Sequence, residues 1–238
     1  MLLFKKHNKR KKVLKRKRNV MYTVEDNPKS IVAEAYKTLR TNIQYSSFDN
    51  EIKTLVVTSA EMSEGKSTVA QNIALTFAQS EKKVILLDCD LRRPSVHINL
   101  NASNLIGISE ILLGKVQIEE AVQKHNDNLY FLTSGKIPPN PSEMLASSAM
   151  SYLIEKLKQD YDIVILDTAP LNLVTDAQIL STKADGTVLV VRAAKTKKDV
   201  VIEAKGLLNM VGANIIGTVL YAVENTRDKY CNYYEGEK

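Results

Sequence analysis

A chain of 238 residues with 44% hydrophobic content suits one α/β domain with tails better than two full domains. Its apolar runs, such as those ending at Leu87 and Val191, are strand-sized, and none approaches the ~20 residues that a membrane span needs. The formal charge of +6 is unevenly spread: residues 1–18 carry ten Lys or Arg and no acid, and without them 23 basic residues face 27 acidic ones.

Residues 1–26 therefore read as a basic, disordered segment. A block of this kind binds polyanions, either nucleic acid or an anionic membrane face. Asn27-Pro28-Lys29-Ser30 reads as a turn, and Ile31, Ala35, Leu39 and Ile43 recur at four-residue spacing, predicting an amphipathic helix to about Ser46. Strands and helices then alternate. Strands are predicted over 54–58, 83–88, 129–132, 163–167, 187–191 and 215–220. Helices are predicted over 67–79, 108–113, 118–124, 142–158, 176–182 and 199–210. Continuous apolar strands separated by helices imply an α/β fold, a mostly parallel sheet with helices on both faces. This body spans 27–223. Residues 224–238 form a tyrosine-rich tail almost without aliphatic residues, which cannot pack a core. Cys89 and Cys231 are far apart in sequence and form no metal spacing, which fits a reduced compartment.

The strongest chemical signal is Thr58-Ser-Ala-Glu-Met-Ser-Glu-Gly65-Lys66-Ser67-Thr68. It follows a predicted buried strand and opens a helix, the context of a P-loop NTPase. Backbone N–H groups of Ser63, Glu64, Gly65, Lys66, Ser67 and Thr68 and the helix N-terminus can form a concave anion site. Lys66 can reach the β- and γ-phosphates of ATP, and the Ser67 hydroxyl can ligate Mg²⁺. Ala60 stands where the usual pattern has its first glycine, and its Cβ makes φ > 0 costly there. Two more strands end in acids, Asp88 with Asp90 and Asp167. Parallel strands share their C-terminal edge with the P-loop, so Asp88, Asp90, Asp167 and Ser67 can converge on one metal ion. Arg92 and Arg93 either neutralise phosphate charge or are plain surface arginines; the sequence leaves both readings open.

The segments 61–68, 85–94 and 163–170 resemble the Walker A, A′ and B motifs of the bacterial protein-tyrosine kinases of capsule and exopolysaccharide synthesis, the BY-kinases. Glu34-Ala-Tyr-Lys37-Thr-Leu-Arg40 is similar to that family's Glu-x-x-Arg-x-x-Arg oligomerisation motif, although Lys37 keeps the charge and loses the forked donor set. The stretch 138–143 and the terminal tyrosines match as well, so the resemblance runs from about Ser30 to the C-terminus. Tyr221 departs from it, standing where relatives commonly carry an Asn that contacts adenine.

The resemblance implies an ATP- and Mg²⁺-dependent tyrosine kinase that autophosphorylates Tyr230, Tyr233 and Tyr234; the short stretch between Leu220 and Tyr230, with little Gly and no Pro to reverse it, predicts transfer in trans. It also implies a homo-oligomeric ring with Glu34, Lys37 and Arg40 at the contact, a transmembrane activator of polysaccharide export and a resetting tyrosine phosphatase. The expected location is cytoplasmic, at the inner membrane face, with the basic segment on anionic lipid and no nucleic acid bound. Tyrosine has a pKa near 10, so a carboxylate is needed for its proton. Asp88 or Asp90 is the base, and Lys66 with the metal stabilises the transferring charge. The rival reading is a switch ATPase of the plasmid-partition or division-site type. Those proteins carry a second lysine five residues before the P-loop lysine, where this chain has Glu61.

Overall fold

A computed structural model describes residues 23–46 and 51–223. The elements run in chain order: α1 (Thr23–Asp26), α2 (Ile31–Gln44), β1 (Thr54–Ser59), α3 (Lys66–Ala78), β2 (Val84–Asp88), α4 (Val96–Leu100), α5 (Ile108–Leu112), α6 (Ile118–Ala121), β3 (Gln123–Lys124), β4 (Leu129–Leu132), α7 (Pro141–Ala146), α8 (Ser148–Asp160), β5 (Ile163–Asp167), α9 (Asp176–Ser181), β6 (Gly186–Arg192), α10 (Lys198–Met210) and β7 (Ile215–Tyr221). The strands form one seven-stranded sheet in the order β3-β4-β2-β5-β1-β6-β7. All neighbours are parallel except β3, which pairs antiparallel with β4 at one edge.

The central strands β1, β2 and β5 are buried throughout, as expected of strands covered on both faces. Alternation along each strand divides the core. Leu55, Val57, Leu86 and Ile165 pack with Ile73 and Phe77 of α3 and with Tyr36 and Ile43 of α2. Their neighbours Val56, Ile85, Leu87 and Leu166 pack on the other face with Leu153, Ile154 and Leu157 of α8. A smaller cluster of Ala60, Leu171, Leu189, Val191 and Leu208 holds α10 to the β6 end.

Three local departures from the predicted elements have physical causes. The helix expected over 142–158 is two helices, because Ser147 adopts extended dihedrals (φ −61°, ψ 158°) and its hydroxyl caps α8 by accepting from the Met150 N–H. The helix expected over 118–124 stops at Ala121. Beyond it Gln123 and Lys124 pair with Phe131 and Tyr130, in a hairpin closed by Asn126 Oδ1, which accepts from the N–H groups of Asn128 and Leu129. The expected boundary at residue 26 falls after structure has begun: α1 is helical, and fully buried Val24 donates its N–H to Asn72 Oδ1 at 3.3 Å. The remainder of the basic segment and the tail tyrosines Tyr230, Tyr233 and Tyr234 lie outside the described residues.

Candidate active site

The loop between β1 and α3 is shaped by two left-handed residues, Ser63 (φ 62°) and Gly65 (φ 97°), the latter capping α3. Ala60 is not among the positive-φ residues; it is buried against Leu171 and Val191, where a small side chain is what fits. Successive loop residues are gripped from outside. Arg192 Nη1 donates to the Ser63 carbonyl at 3.0 Å. The buried Glu64 carboxylate accepts from the Glu61 N–H at 3.0 Å and from the Thr196 hydroxyl. The Tyr221 ring lies against Gly65, so closely that an added Cβ would come within 2.5 Å of it. Sequence reading missed Arg192 and Thr196, whose only signal is their position just past an apolar strand.

The loop and the strand ends enclose a cleft of about 620 Å³. Ser63, Gly65, Lys66, Ser67 and Thr68 line it, whereas the Glu64 side chain turns inward and does not. Asp90, Arg92 and Arg93 line it as well, and Ala169, Pro170, Leu173 and Val174 give it an apolar wall.

The predicted acids do converge. Asp88 and Asp167 are register partners on adjacent strands. Lys66 Nζ sits 2.9 Å from Asp90 Oδ2 and 3.5 Å from Asp167 Oδ1, and 3.3 Å from the Ser67 hydroxyl. Asp88 Oδ2 accepts from the Ser95 and Val96 N–H groups at 2.9 and 2.8 Å. Burial pushes the Asp88 carboxyl up to about 8, and the neighbouring Asp167 adds to the rise. Burial also raises Asp167, opposed by Lys66. At Lys66, burial works against the ammonium, but Asp167 and Asp90 outweigh it and hold its pKa above the usual lysine value.

Asp88 Oδ1 and Asp167 Oδ2 are buried without a hydrogen-bond partner among the described residues, and Asp167 Oδ1 has the Lys66 ammonium 3.5 Å away; buried oxygens of this kind fit a hard cation. No three His, Cys, Asp or Glu among the described residues cage an ion by themselves. A bound Mg²⁺ would need Ser67, phosphate oxygens and water to complete its shell, which is how that ion is ordinarily held.

The predicted oligomer residues all have intrachain partners. Lys37 Nζ pairs with Glu34 at 2.7 Å and donates to the Pro28 carbonyl at 3.2 Å, and Arg40 Nη1 donates to the Thr76 carbonyl of α3 at 3.0 Å. Among the described residues no helix is long and apolar enough to cross a membrane.

Comparison with known proteins agrees with this geometry. The model of a family described as AAA domain matches residues 52–199, more than half of the chain. The chain is 44% identical over 218 residues to the tyrosine-protein kinase YwqD of Bacillus subtilis strain 168, covering 91% of each. Among solved structures it resembles the chimerical protein CapA2B2, with TM-score 0.83, 36% identity and coverage of 86% of this chain and 91% of that one. It also resembles the kinase domain of the Escherichia coli tyrosine kinase ETK, with TM-score 0.80, 32% identity and coverage of 87% and 83%. A P-loop with strand-end carboxylates is common to many ATPases, but identity at this level over nearly the whole chain is not. The chain belongs to the bacterial tyrosine-protein kinases, built on an AAA-type P-loop domain.

Proposed function

We propose that this kinase transfers the ATP γ-phosphoryl group to Tyr230, Tyr233 and Tyr234 of another copy's tail. The observation that carries the reading is Lys66 lying within 3.5 Å of both Asp90 and Asp167 beside a preformed phosphate loop. ATP draws the Lys66 ammonium from the carboxylates onto its phosphates, while Ser63, Gly65, Ser67 and Thr68 receive the phosphate chain at the α3 N-terminus. The carboxylates so released are Asp90 and Asp167, and Asp167 with Asp88 and Ser67 would hold Mg²⁺. When bound, that ion neutralises charge on the β- and γ-oxygens.

The phenolic proton goes to Asp90, which alone of the three acids lines the cleft. The apolar wall of Pro170, Leu173 and Val174 suits a tyrosine ring and keeps water from the transfer. From the resemblance we further assign a role in capsular or exopolysaccharide export, a transmembrane activator, an opposing phosphatase, and ring assembly through Glu34, Lys37 and Arg40. Residues 1–18 would hold the kinase at the inner membrane face by their charge.

Incubation of the full-length protein with γ-labelled ATP and Mg²⁺, followed by phosphoamino-acid analysis, tests the core of this reading. Label is expected on tyrosine and is lost in Lys66→Met. Label on serine or threonine, or none beyond ATP hydrolysis, overturns it.

A further inference from the structure

Asp176 is fully buried and belongs neither to the phosphate loop nor to the carboxylates that face it. Burying a carboxylate is costly unless it is paired and hydrogen-bonded. Here the pairing is complete. Asp176 Oδ2 accepts from Arg92 Nε at 2.8 Å, and Oδ1 accepts from Arg92 Nη2 at 3.2 Å and from the Ser142 hydroxyl at 2.7 Å. Arg92 Nη2 also donates to Ser142 Oγ at 2.8 Å.

Three distant segments meet in this arrangement: the chain just past Asp90, the first turn of α7 after the Pro138-Pro139-Asn140-Pro141 loop, and the start of α9. The outcome is one guanidinium held in a fixed plane. Its Nε–Nη2 edge is consumed by Asp176 and Ser142, while Nη1 makes no hydrogen bond with a described residue. Arg92 lines the same cleft as Lys66, Ser67 and Asp90. Besides Asp176, Asp90 and Glu143 are the acids that bear on it.

A latch between segments would not need a fully buried carboxylate gripping both nitrogens of a part-exposed arginine. A group whose orientation matters to a bound anion would need it, because the nitrogen left free, Nη1, meets an anionic oxygen in a defined place only when the guanidinium plane is held. Building on the kinase reading above, we propose that Arg92 is a catalytic residue that binds the phosphoryl group as it passes from ATP to tyrosine, with Asp176 and Ser142 as positioning residues that hold its guanidinium at the cleft.

In that transfer the phenolic oxygen forms a bond to the γ-phosphorus and the bond from that phosphorus to the β,γ-bridging oxygen breaks. ADP leaves with the electron pair, and the phenolic proton passes to Asp90. Arg92 exchanges no proton. It adds positive charge at the equatorial oxygens, beside that of Lys66 and the phosphate loop. The same contact persists on the phosphotyrosine product, which has the same three oxygens.

The test uses full-length protein and measures two quantities. One is nucleotide affinity, by a fluorescent ATP analogue. The other is the rate of phosphotyrosine formation on full-length Lys66→Met acceptor at saturating ATP. Arg92→Ala is expected to lower that rate by about 10²-fold while shifting nucleotide affinity by less than about 5-fold. Arg92→Lys should recover little, because an ammonium cannot reproduce the fork. Millimolar guanidinium added to Arg92→Ala should restore part of the rate and leave wild type unchanged, a response that a merely structural arginine would not give. Asp176→Asn and Ser142→Ala should lower the rate by smaller factors, again with affinity kept. An Arg92→Ala rate within twofold of wild type overturns the proposal, as does a lost rate that guanidinium does not restore in a variant melting at the wild-type temperature. Wild type itself failing to label tyrosine would instead remove the kinase reading beneath it.

Discussion

Arg192 and Tyr221 are register partners at the C-terminal ends of β6 and β7, and each rests on a left-handed residue of the phosphate loop. Arg192 holds the Ser63 carbonyl, and the Tyr221 ring packs on Gly65. The last parallel strand pair thus braces the loop before any phosphate arrives, which lowers the ordering cost of binding.

Gly65→Ala therefore carries two penalties: a Cβ at φ 97°, worth about 1–3 kcal/mol of backbone strain, and a clash with the Tyr221 ring at 2.5–2.8 Å. The variant should bind nucleotide at least about tenfold more weakly. Adding Tyr221→Ala should relieve the clash and leave the strain, giving partial recovery. Titration with a fluorescent ATP analogue checks this; no recovery in the double variant would mean that the ring contact contributes nothing.

The buried acids predict a pH-dependent stability in metal-free, nucleotide-free protein. The folded-state pKa of Asp88, about 8, lies above its unfolded value. Its contribution is therefore fully present below the unfolded pKa and is lost as pH rises through about 8. Wild-type Tm should fall between pH 6 and pH 8.5. Asp88→Asn, which cannot ionise, should lose less, by roughly 5 °C at pH 8.5, and differ little from wild type at pH 5. Parallel Tm–pH curves for the two proteins would show that Asp88 does not carry the slope.

Tyr221 on Gly65 also roots the tail beside the chain's own nucleotide site. From Val223 to Tyr230 is an extended reach of at most ~24 Å, and no Gly or Pro between them eases a reversal. We expect transfer in trans. Active protein ending at Val223 and full-length Lys66→Met should each stay unlabelled alone, and their mixture should label the Lys66→Met tail. An unlabelled mixture, with the truncated protein still hydrolysing ATP, would place transfer within one chain.

Glu34 and Arg40 should separate in their effects. Among the described residues the Glu34 carboxylate pairs with the exposed Lys37, an ion pair worth about 0–1 kcal/mol, so Glu34→Ala should leave Tm nearly unchanged while shifting the sedimenting species towards monomer. Arg40→Ala loses its bond to the Thr76 carbonyl and should also cost about 1–2 kcal/mol of stability. Unchanged sedimentation of both variants would confine α2 to packing within the chain.

Much of this site is local in sequence and was legible there. A P-loop is one continuous segment between a strand and a helix, and Asp88, Asp90 and Asp167 announce themselves by ending apolar strands. Parallel pairing then obliges those ends to share an edge. The central strands were legible too, since short continuous apolar runs alternating with helices suit a sheet covered on both faces. Short elements were less legible. α4 has five residues and no apolar period to declare it, and the breaks at Ser147 and Ala121 turn on the side-chain hydrogen bonds of Ser147 and Asn126.

Other relationships needed the folded chain. Arg92 and Arg93 are chemically equal neighbours in sequence, yet of their two guanidinium groups it is that of Arg92 that pairs with a buried carboxylate, and that carboxylate lies 84 residues away. Of the two candidate bases, Asp90 faces the cleft and Asp88 is sealed by the Ser95 and Val96 N–H groups, a difference made by where the chain turns after β2. Residue type and spacing determined which chemistry this protein could hold, because strand and helix periods are local properties of the chain. Which arginine is fixed, which aspartate is open and which side chains brace the loop were decided by long-range packing, because burial and hydrogen-bond pairing belong to the assembled fold and not to any segment of it.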